Sequence, residues 1–389
     1  MCLEELSIVL RGPGEDGWKS GDDKMSFGIG SEFRMTVFGE SHGRCIGVVV
    51  EGCPPGLEIG VDDIQWELDR RKPGREATSS RKERDLVRIE SGLTNNRTNG
   101  GPIMMMISNE DTDSSWYDRN RMVPRPSHAD YTAFVKYGGF NDWRGGGFFS
   151  GRITAGMVMG GAIAKKLLSR RGVKIIAHLV QVGDVRAKGE IPDAELEAKA
   201  RESPIWCADK EVSALMSEEL EKAKSENDSL GGTVECRVLG LPVGVGEPIF
   251  DSVESVISHG IFSIPAVKGI EFGGGFGLSS KRGSEANDEF AIEGGRIVTQ
   301  SNNSGGILGG ITNGMPIVLR VAFKPTPSIG KKQRSVDIST MKKKEIRVEG
   351  RHDPCIAVRA VPVVEAMVAT CLADLMIRVH KIGRVEGKI

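Results

Sequence analysis

Four segments place chemically capable side chains among glycines. The first is Gly39-Glu40-Ser41-His42-Gly43-Arg44, where a histidine follows a strand-like stretch and sits on a tight turn. An imidazole with so little cover suits acid/base or ligand-binding work, although a turn histidine of no consequence reads the same way. The second is Arg70-Arg71-Lys72-Pro73-Gly74-Arg75, followed by Arg81, Lys82 and Arg84. Guanidinium groups in such a cluster recognise phosphate or carboxylate, and cations are also favoured at a helix C-terminus without further purpose. The third runs from Arg125-Pro126-Ser127-His128-Ala129-Asp130 to Arg144-Gly145-Gly146-Gly147-Phe148-Phe149-Ser150-Gly151-Arg152. Three glycines before an apolar helix suggest a backbone nest and helix N-terminus facing an anion. No Gly-Lys-Ser/Thr follows, so this is not a Walker loop, and the dinucleotide fingerprint is absent too. The fourth combines Lys324-Pro325-Thr326-Pro327-Ser328 with Gly350-Arg351-His352-Asp353-Pro354-Cys355, where Asp353 is either reactive or a helix cap. His42 and Cys45, with His352 and Cys355, imitate a zinc ligand set, but the usual finger spacing is missing and no metal is expected.

The elements that must position these residues mix strand and helix. Residues 34–50 and 103–107 read as strands, as do 174–182 and 233–239. A helix opens at Asp62, with Gln65 at the capping-box position, and another at Asp251, with Glu254 completing the box. Residues 209–225 read as an exposed helix. Residues 360–380 form a long final helix with Val364, Val368, Cys371 and Leu375 on one stripe and Pro362 in the first turn. Residues 153–168 form a helix apolar enough to be buried. Gly156, Gly160 and Gly161 would each weaken it by about 1 kcal/mol, which calls for close approach of another backbone as compensation. The fold class is therefore mixed, α/β or α+β, as one domain over 25–389. Residues 1–24 are polar and aperiodic, and read as a disordered extension or as an early start with Met25 the true one.

Bulk composition narrows the function. With 52 Lys+Arg against 53 Asp+Glu the net charge is −1, which disfavours a nucleic-acid binder. The longest nearly apolar run, 153–164, is too short to span a membrane. Seven cysteines without a C-x-x-C suit a reducing cytoplasm. The 51 glycines exceed average usage and have no repeat, which implies many backbone positions that a side chain would obstruct.

Taken in order, the segments resemble the chorismate synthase family from Met25 to about Arg378. The carriers are FGESHG (38–43), RRKPG (70–74), RPSHADY (125–131), KYGG (136–139), RGGG (144–147), AVKGIEFG (266–273), GGILGG (305–310), KPTPS (324–328) and GRHDPC (350–355). The resemblance implies long helices sandwiched between two antiparallel sheets, assembled as a homotetramer. It implies anti 1,4-elimination of phosphate from 5-enolpyruvylshikimate 3-phosphate to give chorismate. That reaction has no net redox change yet requires reduced FMN, because the C6 hydrogen is not acidic enough for a simple base. Carried over by motif, His42, His128 and Asp353 handle protons, and Arg71, Lys72, Arg144 and Arg351 meet the anions. Flavin contacts fall on Ser150, Ala266, Gly309, Lys324, Pro325, Thr326, Pro327, Ser328 and Arg351. NADPH is needed only if flavin reduction is intrinsic, and the absence of large insertions points to an external flavin reductase.

The sequence also departs from the family pattern. Phe148 stands where an arginine is usual in RGGGRSSAR, and Ser127 where glycine is usual. The segment after Gly74 is one residue short, so Arg75 or Arg81 takes the next arginine's place, with Arg75 the nearer. A non-catalytic flavin- or phosphate-binding protein on the same fold is the alternative, and retention of His42, His128 and Asp353 together counts against it. A nicotinamide-dependent oxidoreductase is disfavoured by the missing fingerprint.

Overall fold

The structure, a computed structural model, describes residues 27–72, 83–110, 112–350 and 352–382. Five strands make the first sheet: β1 (Gly28–Ile29), β2 (Arg34–Gly39), β3 (Cys45–Glu51), β4 (Arg88–Ile89) and β5 (Ile103–Ser108). Their order is β1-β2-β3-β5-β4, with every pair antiparallel. Val37 pairs with Val48, and Val48 with Met105, so period-two alternation puts apolar side chains of three strands on one face.

Helix α1 (Val61–Arg71) and helix α2 (Thr154–Ser169) lie against each other behind this sheet. α2 is buried almost all round. Its glycines sit where space is least. A Cβ on Gly156 would come within 2.9 Å of the Gly47 carbonyl, one on Gly160 within 2.4 Å of Met35 Sδ, and one on Gly161 within 2.3 Å of Ala366 Cβ. Close packing is thus the compensation for the three helix-weakening residues, against strands β2 and β3 at Gly156 and Gly160 and against the helix that bears Ala366 at Gly161.

The second sheet contains β6 (Lys174–Val182), β7 (Val185–Arg186), β8 (Gly232–Leu239), β9 (Val267–Phe272) and β10 (Ile317–Phe323). Its order is β9-β10-β8-β6-β7, again antiparallel throughout. Helix α3 (Val253–Phe262) and helix α4 (Ala357–Arg378) pack between the sheets, α4 touching α2 on one side and β6 and β8 on the other. The result is the sandwich of helices between two antiparallel sheets.

α4 departs from expectation in two respects. It is buried on every side rather than along one stripe, because helix and sheet enclose it, and Pro362 is its sixth residue, beyond the first turn. By length and hydropathy it could cross a membrane, but 94% of its apolar window is inside the fold. Its two buried acids tie other elements to it. Glu365 accepts from Arg70 (2.5 and 2.9 Å), Lys165 (2.7 Å) and the Ala177 amide (2.9 Å), linking α1, α2 and β6. Asp374 Oδ1 accepts the amides of Ser31, Glu32 and Phe33, fixing the β1–β2 turn.

Two helix starts also differ from the local pattern. α1 begins at Val61, and Gly60 N–H donates to Asp63 at 3.0 Å. Gln65 is engaged elsewhere, accepting from Val87 N–H and donating to the Asp85 carbonyl. α3 begins at Val253, where Ser252, not Asp251, caps the amide of Ser255. The 209–225 helix forms with Asp209 as its cap, although Met216 and Leu220 bury one face.

Candidate active site

Segments far apart in sequence enclose one cavity of about 920 Å³. His42, His128, Ser150, Ala266, Lys324, Thr326, Pro327, Ser328 and Asp353 all line it. Such a volume lies at the upper end of the roughly 300–1,000 Å³ typical of small-molecule sites.

The three glycines after Arg144 set the spacing of the two histidines. Gly145, Gly146 and Gly147 all have left-handed backbone, with φ of 58°, 85° and 54°. A Cβ on Gly145 would lie 2.4 Å from His42 Cδ2, and one on Gly146 would lie 3.0 Å from His128 Cε1. Adjacent residues therefore back one imidazole each. Part of the main-chain hydrogen bonding of this run is satisfied within the protein. Gly146 N–H donates to the Trp143 carbonyl, the Gly147 carbonyl accepts from Ser41 N–H, and Ser150 Oγ accepts from Arg152 N–H at the helix entry. Space around the histidines explains Gly145 and Gly146, and the Asp142 carbonyl, 2.4 Å from where a Cβ on Gly147 would lie, explains the third.

Each imidazole is held from behind. His42 Nδ1 is 2.9 Å from Ser114 Oγ, and its ring meets Tyr117 edge-on at 5.4 Å. His128 Nδ1 is 2.7 Å from Asp130 Oδ1. Burial lowers the His128 pKa; Asp130 opposes this, while Arg125 and Lys324 add to it. Burial works against an ionised Asp130, but hydrogen bonds from Arg125 and His128 overcome it and hold the carboxyl well below its ordinary range.

Asp353 is buried and accepts from Arg359 Nη1 at 2.7 Å. Arg359 Nε also donates to the Arg71 carbonyl at 3.2 Å, joining the start of α4 to the end of α1. Beside it, Arg152 donates to Asp85 (2.5 Å) and Asn109 (2.9 Å) and lies 3.5 Å from Glu83. Arg152, Arg359 and Glu83 line the cavity. Arg71 does not. It is fully buried, donating to Thr154 Oγ1 and Asp85, and burial with the Arg359 guanidinium presses its pKa downward.

Other expected anion contacts lie elsewhere. Arg144 is clamped bidentately by Asp142 two residues earlier (2.8 and 2.9 Å) and is not among the cavity residues. Lys72 pairs with Asp69 across the last turn of α1 at 2.8 Å, also away from the cavity. Gly309 occupies the turn joining Ile307–Leu308 to Ile311–Thr312, with open space beside it, and Pro325 is turned outward. Arg75, Arg81 and Arg351 lie outside the described residues.

The segment 324–328 carries features suited to an anionic cofactor. Lys324 and Lys268 both line the cavity, and burial with Lys268's charge lowers the Lys324 pKa. Thr326 Oγ1 is buried without a hydrogen-bond partner among the described residues. Opposite in character is a wall of aromatic rings. Phe148 meets Phe27 edge-on at 5.3 Å, Tyr137 at 5.5 Å and Phe149 tilted at 4.6 Å. A side chain that cannot pair with an anion is thus used to build an apolar surface.

Several site residues were not singled out from the sequence. Arg125 and Asp130 stand in the same motif as His128, so the motif itself was the available signal. Arg152 follows the glycine run. Lys268 stands in the AVKGIEFG motif, whereas Arg359 and His259 join the cavity only through folding, since nothing local marks them.

Comparison with known proteins bears on the family and the fold. The chorismate synthase family model matches residues 33–377. A chorismate synthase of Dehalococcoides mccartyi is 52% identical over 363 residues, 93% of this chain and 99% of that one. That of Thermococcus gammatolerans is 48% identical, covering 90% of this chain and 97% of its own. A crystal structure of chorismate synthase superposes with a TM-score of 0.73 at 30% identity, over 91% of this chain and 94% of that one. On the family match, the identities and the shared fold, the chain belongs to the chorismate synthase family.

Proposed function

We propose that this enzyme converts 5-enolpyruvylshikimate 3-phosphate to chorismate and phosphate with bound reduced FMN, at the cavity lined by His42, His128 and Asp353. The carrying observation is that these three residues, from segments over 80 and over 220 positions apart, open into one space with the 324–328 segment.

The residues present fit a flavin phosphate and ring. Lys324 and Lys268 supply paired positive charge, Thr326 Oγ1 an unused hydroxyl, and Phe148 with Phe149 an apolar surface. Ser150, Ala266, Lys324, Thr326, Pro327 and Ser328 would hold the cofactor. When bound, reduced FMN supplies reversible electron donation to the eliminating substrate. The chain does the rest. Arg152 and Arg359 orient substrate anions through planar donors already fixed by Asp85 and Asp353. The aromatic wall keeps water from the reacting face. His42 and His128 exchange protons with the departing phosphate and the cofactor, and the Asp353 carboxylate helps to relay the C6 proton once electron donation has made its loss possible. Arg351 joins the anion contacts, as does Arg75 or Arg81.

We infer that residues 25–389 act as one domain within a cytoplasmic homotetramer. Ile249, Phe250, Phe276, Phe290, Ile292 and Ile297 expose large apolar area, which supports association of copies. Reduced flavin comes from an external reductase, and NADPH is required only if the chain reduces FMN itself. An anaerobic assay with 5-enolpyruvylshikimate 3-phosphate and chemically reduced FMN tests the reading. Chorismate and phosphate are expected in equal amounts. His42→Ala, His128→Ala and Asp353→Ala each lower turnover by orders of magnitude in folded protein, and no product from the unsubstituted enzyme defeats the proposal.

A further inference from the structure

We propose that Asp130 is a positioning residue: clamped by Arg125, its carboxylate holds His128 in the Nδ1–H tautomer and so assigns proton exchange in the cavity to Nε2. This rests on the function proposed above. A carboxylate offers only acceptors, so at 2.7 Å from Asp130 Oδ1 the Nδ1 atom must carry hydrogen. The opposite tautomer would set a lone pair against a carboxylate oxygen.

Arg125 lies near the same nitrogen, with Nη2 3.1 Å from His128 Nδ1. That contact alone would favour an unprotonated Nδ1, so the two neighbours compete. Asp130 wins on geometry, because Arg125 spends its donors on it. The Arg125 main-chain N–H and Nε donate to Oδ2 at 2.9 and 2.8 Å, and Nη2 donates to Oδ1 at 2.7 Å. With three such donors Asp130 stays ionised.

The clamp is itself fixed. Arg125 Nη1 donates to Ser328 Oγ at 3.1 Å, and its guanidinium stands 5.3 Å from the centre of the Tyr117 ring. Lys324 Nζ donates to the Ser127 carbonyl at 2.5 Å. The turn bearing His128 is thus latched to the segment 324–328 at two points. On the far side of the ring, a Cβ on Gly146 would lie 3.1 Å from Nε2, so the bare glycine leaves that edge room beside the cavity. A lone pair on Nε2 then takes a proton, and the resulting imidazolium can return it, while Asp130 keeps its charge. This is the orienting role of a carboxylate behind a catalytic histidine.

Asp130→Asn tests the assignment. Two Arg125 donors favour the amide oxygen at the Oδ2 position, which turns the amide NH₂ towards His128. The ring then answers with an unprotonated Nδ1 and carries hydrogen on Nε2. Nitrogen-15 spectra of histidine-labelled protein, assigned with His128→Gln, should show Nδ1–H in the unsubstituted enzyme and Nε2–H in Asp130→Asn. Turnover should fall about 10²- to 10⁴-fold with little change in KM, and Asp130→Glu should recover at least about tenfold of that loss. Nε2–H in the unsubstituted enzyme would overturn the proposal even if the variant does not fold. So would Asp130→Asn turning over within about threefold of the unsubstituted enzyme. The spectra do not depend on turnover, so an inactive but Nδ1-protonated enzyme would count against the proposed reaction and not against the tautomer.

Discussion

Alanine at Gly145 separates the space these glycines leave from the backbone freedom they provide. The new Cβ would lie 2.4 Å from His42 Cδ2, 2.5 Å from Nε2 and 2.9 Å from Ser41 Oγ. Apolar atoms rest at about 3.5–4.0 Å, so the imidazole must retreat by about 1 Å. It cannot do so freely, because Ser114 Oγ holds Nδ1 at 2.9 Å and Tyr117 closes one side of the ring. Misplacement of a reacting group by about 1 Å costs about 10²-fold in rate. Alanine at φ 58° costs in addition about 1–2 kcal/mol of stability. Gly172 supplies the control, since its φ is 77° but a Cβ there meets nothing within 4 Å. Gly145→Ala and Gly172→Ala should therefore lower the urea midpoint alike, while only the former loses about 10²-fold in turnover. The assay is anaerobic chorismate formation beside urea unfolding of both variants. Turnover of Gly145→Ala within about threefold of the unsubstituted enzyme, or equal loss in Gly172→Ala, refutes the steric argument.

Glu365→Ala should destabilise the protein by about 3–5 kcal/mol in urea unfolding, because Arg70 and Lys165 remain at the core without their shared carboxylate. The same group predicts acid sensitivity. Burial opposes its ionisation, but Arg70 and Lys165 bring its pKa from 4.5 down to about 2, so its contribution is complete above pH 4.5 and is lost as the pH falls towards 2. A Glu365→Gln protein whose stability falls as steeply over that interval would contradict this. Ser127 adopts φ 60°, and Ser127→Gly should raise the urea midpoint by the equivalent of about 1 kcal/mol without disturbing the His128 turn; a lowered midpoint would mean that the serine makes an unrecognised favourable contact.

How far the fold could be read from the residues depended on whether the deciding contacts were local. The three glycines of α2 were informative because an otherwise apolar helix has no use for them unless another backbone lies close, and Gly161 against Ala366 is that approach. The start of α1 was misread because Gln65 looks like a capping residue in sequence, whereas residues 85 and 87 claim its amide in the fold. The stripe on α4 was a partial view of a helix enclosed from both sides. In the site, His42, His128 and Asp353 were visible because each sits in a motif with turn-forming neighbours. The anion contacts were less visible. Motif position does not reveal that Asp142 closes on Arg144 or Asp69 on Lys72. Nor can it show that Arg152, before α2, and Arg359, in the first turn of α4, become neighbours of Arg71.

The arrangement of charge explains why a chain of net charge −1 can hold a polyanionic substrate. Arg71 and Arg152 are buried with Arg359 half-buried beside them, and such a group would be costly unless acids stood among them. Asp85, Glu83 and Asp353 do so, with the Asp85 carboxyl held down by Arg71 and Arg152 against the effect of burial. Among the described residues this cluster is close to neutral, so its part is to present guanidinium planes in fixed directions more than to draw anions from solution. Attraction falls to Lys324 and Lys268, two like charges facing one cavity. An anion placed between them counters the burial and the Lys268 repulsion that lower the Lys324 pKa, so binding and protonation of Lys324 favour each other. On the proposed function, the arginines thus serve geometry and folding, and the lysines serve affinity. Loss of a lysine should weaken anion binding in a salt-dependent way, whereas loss of an arginine should disturb the acids that it neutralises.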